Sequence, residues 1–348
     1  MQRRIFVVIA LVTLVTFIGS SLAQSETSSP TPAPSKTSLP PPSSTPVTES
    51  DEAQATDDVA ATIPALSPLP RSYTQEDLAV LVGNVQLPNG LLWYENDLYA
   101  VCSGDWTLYR VQSETGATIT FVFGIRDAHM IALEETDAGF DLWVPDFDTD
   151  QIFIVDQAQN APTMLAEDLL DGPWGIALLE DNSALVTNAR GNTLVHVTSE
   201  GQTRIIAEGF RSPTGIVIDG ETVYVANNGS ARRAIEWFST EELPLADEEA
   251  DPATDIPQPL VSGLQNVSNL FLAADGYLYF TYALGTRGVV GRVDPVACQD
   301  GGCSNDQVEI VLFTELQAPL AGLTISDDMR LFVHTIYRPE IYWVQLYE

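Results

Sequence analysis

The sequence predicts an all-β fold, a six-bladed β-propeller, and two observations support this prediction. First, one unit occurs twice, roughly 40 residues apart: Pro-Trp-Gly-Ile-Ala-Leu at 173–178 and Pro-Thr-Gly-Ile-Val-Ile at 213–218. Second, each copy continues into a β-rich run that ends in Asn188 or Asn227. A fixed period of this length, with glycine and proline punctuation and β-branched runs, is typical of a propeller blade of four short strands.

Six such units lie in one register along the chain. Their openings, each the start of an innermost strand, are residues 88–91, 128–131, 173–176, 213–216, 267–270 and 319–323, the last with one extra residue. The second strands that follow have apolar cores at 98–101, 142–145, 184–187, 223–226, 278–281 and 331–334. A third strand follows each, as at 151–155 and 193–197. Six matches in a single register predict a propeller of six blades.

The first 70 residues differ in composition and are predicted to lie outside the propeller. Two arginines, an apolar run and small residues at Ser21-Leu22-Ala23 predict a secretory signal peptide over residues 1–23. An uncleaved signal anchor is the alternative, because this apolar stretch is almost long enough to span a bilayer. Residues 24–70 are rich in Ser, Thr and Pro, which predicts a disordered linker. The protein is therefore expected to be secreted, or tethered outside the cytoplasm by its N-terminus.

The propeller is predicted to occupy residues 71–348 and to close its ring with strands from both ends of the chain. The last blade has three clear strands before Glu348, so a fourth must come from elsewhere. Residues 78–82, ahead of the first opening, are the obvious donor, and this closure removes an exposed sheet edge. Insertions at 241–259 and 295–306 lengthen blades four and five, and strand-to-strand loops tolerate such insertions.

The net charge of −33, from 15 basic and 48 acidic residues, restricts the partners. A polyanion repels nucleic-acid phosphates and anionic membrane surfaces, so neither is expected as a partner. Lys36 is the only lysine and precedes the repeats, which excludes Schiff-base lysine chemistry in the propeller. The acidity is interpreted as a soluble surface suited to salt, and the alternative is a negative field that attracts a cationic ligand.

Two of the three cysteines are predicted to form a disulfide. Cys298 and Cys303 flank Gln-Asp-Gly-Gly, a flexible connection within the second insertion of an exported protein. Cys102 is left over at a strand end. It is interpreted as a small buried thiol, with a nucleophile as the alternative.

A ring of residues at one mouth of the channel is the candidate site, because the first strand of every blade lines the channel. The residues just before each Gly-Ile step are Asn89, His129, Trp174, Thr214, Ser268 and Leu320. The ends of the second strands supply a nearby polar set: Cys102, Asp146, Asn188, Asn227, Tyr282 and Thr335. Polar groups that converge on a concavity form the default binding-site hypothesis.

A structural alternative applies to part of this set. Asp146, Asn188 and Asn227 could simply cap turns, as Asx side chains often do. His129 and Trp174 stand where a small turn residue would have sufficed, which favours a functional role for them. His196 alternates with valines on a third strand and is interpreted as structural, and the role of His334, near the end of a second strand, is left open.

The Pro-x-Gly-Ile openings and the Leu-Tyr-Val-x-Asn/Asp second strands resemble the six-bladed propeller superfamily of NHL-repeat proteins, the SMP-30/gluconolactonase group and streptogramin B lyases. The resemblance covers residues 73–348. Gluconolactonase-like members bind a catalytic divalent cation through Glu, Asn and Asp of the mouth ring. Here only Asn89 matches that set, and Trp174, Thr214, Ser268 or Leu320 stand where the carboxylates are expected.

The streptogramin lyases use a histidine and a metal at the mouth. The opening Ala-His-Met-Ile at 128–131 is similar to their Pro-His-Gly-Ile type of opening, whereas their glutamate partner has no counterpart in this sequence.

Two functions from different classes follow from these observations. The first is an exported, monomeric propeller that binds a small molecule or an extracellular protein at the channel mouth. The second is a metal-assisted lactonase or lyase, in which His129 acts as general base and Asn89 and Asp146 lie near a cation. Ca²⁺ or Mg²⁺ is the ion implied by the resemblance, and both prefer anionic oxygen ligands.

Overall fold

The computed structural model describes residues 68–247 and 249–347. The predicted signal peptide at 1–23 and nearly all of the predicted linker at 24–70 lie outside these ranges and stay predictions. Within the described ranges the chain forms six sheets, each built on four strands of one blade. The innermost strand comes first and the other three follow it outward, as the sequence predicts for a six-bladed propeller.

The blades follow one another along the chain. Blades one to three comprise Pro88–Tyr94, Asp97–Cys102, Thr107–Gln112 and Thr118–Phe123; Ala132–Thr136, Gly139–Asp146, Gln151–Asp156 and Thr163–Ala166; and Pro173–Leu178, Ala184–Asn188, Thr193–Val197 and Thr203–Glu208. Blades four to six comprise Pro213–Asp219, Thr222–Asn227, Ile235–Ser239 and Gln258–Ser262; Gln265–Leu272, Leu278–Leu284, Arg287–Val293 and Glu309–Gln317; and Leu320–Ile325, Arg330–Thr335, Ile341–Gln345 and the N-terminal Ala79–Val82.

The N-terminal strand closes the ring. Ala79–Val82 pairs antiparallel with Ile341–Gln345, with Ala79 opposite Trp343 and Val82 opposite Ile341. The prediction that residues 78–82 supply the missing fourth strand is confirmed.

Buried apolar side chains lie between the blades. Among the described residues they form six clusters, one at each interface between neighbouring blades. The second strands join these clusters because successive side chains point to opposite faces of a sheet. Leu98 and Ala100 pack against blade six, and Tyr99 and Val101 pack against blade two. Burial on both faces explains why the second strands are continuous apolar runs.

Short parallel pairings cover the outer edges of three blades. Cys303–Ser304 pairs with the outer strand of blade four, and Tyr73–Thr74 pairs with that of blade five. A single bridge from Ala253 to Ala207 does the same at blade three. Each covering segment precedes the outer strand of the next blade, so the two insertions and the N-terminal segment share one role, the protection of a sheet edge.

The remaining elements are short helices. They are the α-helix Pro295–Gln299 and the 3₁₀ helices Gln75–Asp77, Ala231–Arg233, Thr240–Glu242 and Asn305–Gln307. Along the part of the chain that the structure describes, no helix is both long and apolar enough to cross a membrane.

The predicted disulfide is present. Cys298 and Cys303 are bonded, with their Cα atoms 5.1 Å apart, and the bond ties the short α-helix to the strand that covers blade four. Cys102 is free and buried, as the sequence predicts, and burial raises the pKa of its thiol. A thiol held in its neutral form is a poor nucleophile.

Candidate functional site

The Pro-x-Gly-Ile opening forms a β-bulge at the start of the innermost strand. In blade three, Pro173 pairs with Asn188 and Ile176 with Val186, so two residues of one strand, Trp174 and Gly175, stand opposite the single residue Thr187 of the other. The glycine allows neighbouring innermost strands to approach closely. A Cβ on Gly175 would clash with the carbonyl oxygen of Thr214, and one on Gly90 would lie 2.9 Å from the carbonyl oxygen of Ala128.

Blade two departs from this pattern. Its innermost strand is regular only from Ala132 to Thr136, four residues later than the opening that the sequence indicates. Met130 occupies the position that is glycine in four blades, where a Cβ would lie within 2.9 Å of a neighbouring atom, and asparagine in blade five. The segment from Ala128 to Ile131 therefore runs outside the strand ladder, which gives His129 a setting unlike that of any other ring residue.

The strand register places Asn89, Trp174 and Thr214 at equivalent positions, each one residue after a proline that pairs with the end of the second strand, and it corrects the position of Leu320. Pro88 lies opposite Cys102, and Leu320 lies opposite Thr335 in the same way. Leu320 therefore occupies the proline position and Ala321 the ring position. The sequence alignment matched Pro319 to the prolines of the other openings. The extra residue of this opening is therefore Pro319, and every later residue moves by one position.

The three predicted Asx ligands accept hydrogen bonds from the loops between blades. Asp146 accepts from the backbone N–H groups of Arg126, Asp148 and Thr149 at 2.7, 3.1 and 3.3 Å. Both of its carboxylate oxygens are therefore occupied. The equivalent residue Asn188 accepts from Asp171 N–H at 3.2 Å.

Asn227 repeats the arrangement in blade four. It accepts from Arg211 N–H at 2.8 Å and donates to the carboxylate of Glu236 at 2.7 Å. In all three blades the accepted N–H lies two residues before the opening position, so each of these side chains fixes the entry of the chain into the innermost strand of its own blade. Their role in ligand binding stays a prediction.

Several ring side chains bond to carbonyl groups at the mouth. The indole Nε1–H of Trp174 donates across the channel to the carbonyl oxygen of Ser268 at 3.2 Å. The hydroxyl of Thr214 donates to the carbonyl oxygen of Val267 at 2.9 Å, and that of Ser268 donates to Asn266 at 3.3 Å. Because innermost strands have no further strand beside them, these bonds satisfy backbone groups that face the channel.

A second group of ring residues surrounds Asp127. The side-chain amide of Asn89 donates to the Asp127 carboxylate, and Nε2 of His129 lies 3.6 Å from the same oxygen. His334 Nε2 lies 2.9 Å from the carbonyl oxygen of Asn89. A carbonyl oxygen can only accept, so Nε2 of His334 carries the proton and its Nδ1 is an acceptor.

Burial sets the charge state of these groups. Desolvation raises the pKa of Asp127 to about 6, although the hydrogen bond from Asn89 opposes the shift. Desolvation lowers the pKa of His129 to about 3 and that of His334 to about 3. At neutral pH, Asp127 is therefore a carboxylate and both imidazoles are neutral, an arrangement that can accept hydrogen bonds.

Aromatic rings cover His129. Its imidazole stacks on the indole of Trp174, with centroids 3.5 Å apart and planes at 5°. Phe147 meets both rings edge-on at 5.5 and 5.6 Å, and the Arg190 guanidinium lies over Phe147. His129 is 8% exposed, whereas Trp174 is half-buried and stands on the solvent side of the imidazole.

Three buried polar atoms at this mouth have no hydrogen-bond partner within the described residues. They are Oδ1 of Asn89, Nδ1 of His129 and Nδ1 of His334. Such atoms are rare in folded proteins and call for an explanation. One explanation is that they bind a ligand. The three residues are linked to one another, because Asn89 and His129 both contact Asp127 and His334 contacts the carbonyl oxygen of Asn89.

The same residues fit a divalent cation poorly. Within the described ranges, no three His, Cys, Asp or Glu side chains are grouped so as to hold a metal ion. The carboxylate proposed from the sequence, Asp146, is committed to three backbone N–H groups. Among the described residues, Asp127 is the one carboxylate hydrogen-bonded to Asn89, whereas Ca²⁺ or Mg²⁺ prefers several anionic oxygens.

Asp127 and Phe147 are the residues that the sequence reasoning missed. Asp127 stands two residues before His129, and side chains two apart in an extended segment point to the same side. The Asp-x-His spacing could therefore have revealed the pair. His334, left open from the sequence, joins the cluster, and His196 lies apart from it, 2.8 Å from the Ser183 hydroxyl.

Comparison with known proteins relates the chain to two enzymes by fold. No protein-family model matches the sequence, and no curated protein matches it. A gluconolactonase from Xanthomonas campestris superposes with a TM-score of 0.61 at 15% identity, over 82% of this chain and 97% of the other. A streptogramin B lyase superposes with a TM-score of 0.52 at 14% identity, over 76% and 96%. The chain thus has the six-bladed propeller fold that its repeats predict, the fold of a gluconolactonase and of a streptogramin B lyase.

Proposed function

We propose that this protein is an exported propeller that binds a small extracellular molecule at the channel mouth, around Asp127 and His129. The observation that supports this most is the set of unpartnered atoms on Asn89, His129 and His334. Two neutral imidazoles and an amide oxygen favour a ligand that supplies hydrogen-bond donors. The Asp127 carboxylate disfavours an anion. A neutral polyhydroxylated molecule meets both requirements.

Entry of such a ligand requires Trp174 to move, because its indole covers His129. Moving it breaks one hydrogen bond, the stack on His129 and the edge-on contact with Phe147. Together these contacts are worth about 1.5–4.5 kcal/mol. An open state at that free energy is occupied in about 0.05–7% of molecules, so opening lowers the apparent affinity without preventing binding. Trp174 therefore acts in this proposal as a cover that the ligand displaces.

A second candidate function is acid–base catalysis by His129. It is favoured by the Asp127–His129 contact, because a carboxylate beside an imidazole stabilises the protonated ring that forms when histidine acts as a base. Burial opposes it, because desolvation lowers the pKa of His129 to about 3. The fold shared with a gluconolactonase and a streptogramin B lyase is compatible with it, but fold alone does not specify chemistry. No step through a metal ion is proposed, because the residues present fit one poorly.

Glucono-1,5-lactone is a suitable probe, since it offers several hydroxyl donors and an ester that can open. Calorimetry with the lactone and a pH-indicator assay of ring opening separate the two functions. Saturable binding without accelerated opening supports the binding role, and opening that His129→Gln abolishes supports catalysis. His196→Gln is the matched control, because that histidine lies outside the mouth. Lactone that neither binds nor opens, in the wild type and in Trp174→Phe alike, contradicts the proposal.

The remaining expectations belong to the same proposal. Export rests on the N-terminal sequence and on the disulfide, which is typical of oxidising compartments. The charge of −33 supports two further expectations. The propeller acts as a monomer, and neither nucleic acid nor an anionic membrane is its partner. Intact-mass analysis of secreted protein should find a mature chain that begins at or near Gln24.

A further inference from the structure

The channel has a cavity at the end opposite the mouth ring. Its volume is about 340 Å³, within the range of small-molecule sites. Five innermost strands supply most of its walls, through residues such as Leu92, Ile176, Ile218, Leu270 and Leu323, and blade two supplies residues 130 and 131 just ahead of its strand. None of the mouth residues Asn89, Asp127 or His129 lines it. The cavity is thus a site distinct from the mouth.

The lining of this cavity is almost wholly aliphatic. Apart from Asn269 and Thr324, the side chains that form it are Leu, Ile, Met, Val, Ala or Phe. Asn269 is engaged with the carbonyl oxygen of Ala321, and Thr324 accepts from the backbone N–H of Trp93 at 3.2 Å. Leu92, Leu178 and Ile218 are only half-buried. Solvent therefore reaches apolar walls from the end where the innermost strands finish.

Carboxylates surround that opening. Six turns join an innermost strand to a second strand. Each turn contains at least one Asp or Glu and no basic residue. In chain order these acidic residues include Glu95, Asp137, Glu180, Glu221, Asp275 and Asp327. Asp275 is buried and paired with Arg292. In the described ranges the other five are exposed and form no salt bridge. The arginine nearest in sequence to the sixth turn, Arg330, pairs with Asp328 at 3.1 Å.

An apolar cavity behind a ring of like charges selects a particular ligand chemistry. The cavity excludes charged groups, because burying a charge without a partner is unfavourable. The ring lowers the free energy of a cation at the opening and raises that of an anion, since clefts lined by one sign of charge focus the field. We propose that this end of the channel binds a cationic amphiphile, with its alkyl chain among the aliphatic walls and its head group at the carboxylates.

The cavity volume limits the chain length. A methylene group is similar in size to a water molecule, about 30 Å³, so the cavity holds roughly ten of them. Within that limit each added methylene should tighten binding about fourfold, the factor expected for full burial of one CH₂ group. Beyond it the gain should stop, because further methylenes remain in water.

The test is a calorimetric titration with alkyltrimethylammonium ions of six to fourteen carbons, below their micelle concentrations. We expect one saturable site, a gain of about fourfold per methylene that levels off near ten carbons, and at least tenfold weaker binding of decanoate. Ile218→Trp should weaken decyltrimethylammonium at least tenfold by filling the cavity. Ile119→Trp, at an exposed position on the outer strand of blade one, should leave it unchanged.

Several outcomes would overturn the proposal. Equal binding of decanoate removes the role of the carboxylate ring, and multiple weak sites without a chain-length limit show only adsorption to an acidic surface. Retained affinity in folded Ile218→Trp excludes the cavity. If that variant does not fold, the chain-length series on the wild type decides, and a smooth rise through fourteen carbons contradicts the proposal. Glu180→Gln with Glu221→Gln should weaken the cation several-fold, and the effect should shrink at high salt.

Discussion

Replacing Arg292 by methionine should destabilise the propeller more than most single substitutions. The guanidinium is fully buried in blade five, where it contacts the Asp275 carboxylate at 2.9 Å and the Glu309 carboxylate at 2.8 Å. It also donates to the hydroxyl of Tyr347 at 2.7 Å, which ties the last described residue of the chain to the blade. Methionine fills much of the same volume but leaves Asp275 buried without its cation.

The expected loss follows from that uncompensated charge. Removing one partner of a buried ion pair typically costs about 3–5 kcal/mol. For a domain of this size, with roughly 2 °C of melting temperature per kcal/mol, the midpoint should fall by about 6–10 °C. Differential scanning calorimetry at pH 7 measures it. The double variant Asp275→Asn with Arg292→Met should regain part of the loss, because it removes both charges.

The matched control is Arg232→Met, at an exposed position in the loop between the second and third strands of blade four. It should change the free energy of unfolding by no more than about 0.5 kcal/mol. If Arg292→Met melts like this control, the buried network does not stabilise the fold and the reasoning fails.

Three further changes test the fold and the charge states. Gly175→Ala should destabilise by about 1–3 kcal/mol by overpacking neighbouring strands, whereas Gly83→Ala, whose nearest atom would be 3.8 Å away, should be nearly neutral in urea unfolding. Deletion through Val82 should lower the melting temperature far more than deletion through Pro70, because only the first removes the strand that closes blade six; equal melting points would contradict this closure. Burial lowers the folded pKa of His334 to about 3, so the unfolded chain takes up its proton first and stability falls as the pH drops below about 6.5. His334→Gln should reduce that slope by up to about 1.4 kcal/mol per pH unit, and an unchanged slope would show that the histidine is not held neutral.

The architecture could be predicted from the sequence because repetition multiplies weak signals. One Pro-x-Gly-Ile opening is a poor indicator, but six openings and six second strands in one register leave few alternatives. The donor strand followed from counting strands in the last blade. The register of Leu320 could not be fixed, since a one-residue bulge changes which residue faces the channel without changing the hydrophobic pattern.

The site was less predictable because it depends on contacts between distant residues. Sequence position placed His129 and Trp174 in one ring, but their stacking depends on the irregular opening of blade two. The cap roles of Asp146, Asn188 and Asn227 were an open alternative until the backbone N–H groups they bind were located. The cavity at the far end has no motif, because its walls come from six separate blades.

The proposal at the mouth is tested most directly by a crystal structure of the protein with 1,5-gluconolactam. This amide analogue of the lactone keeps the ring hydroxyls and resists opening. We expect the analogue at the mouth, with hydroxyls donating to Oδ1 of Asn89 and Nδ1 of His129, and Trp174 moved from its bond to Ser268. A structure with the analogue bound elsewhere, or with the mouth unchanged at saturating analogue, would contradict it.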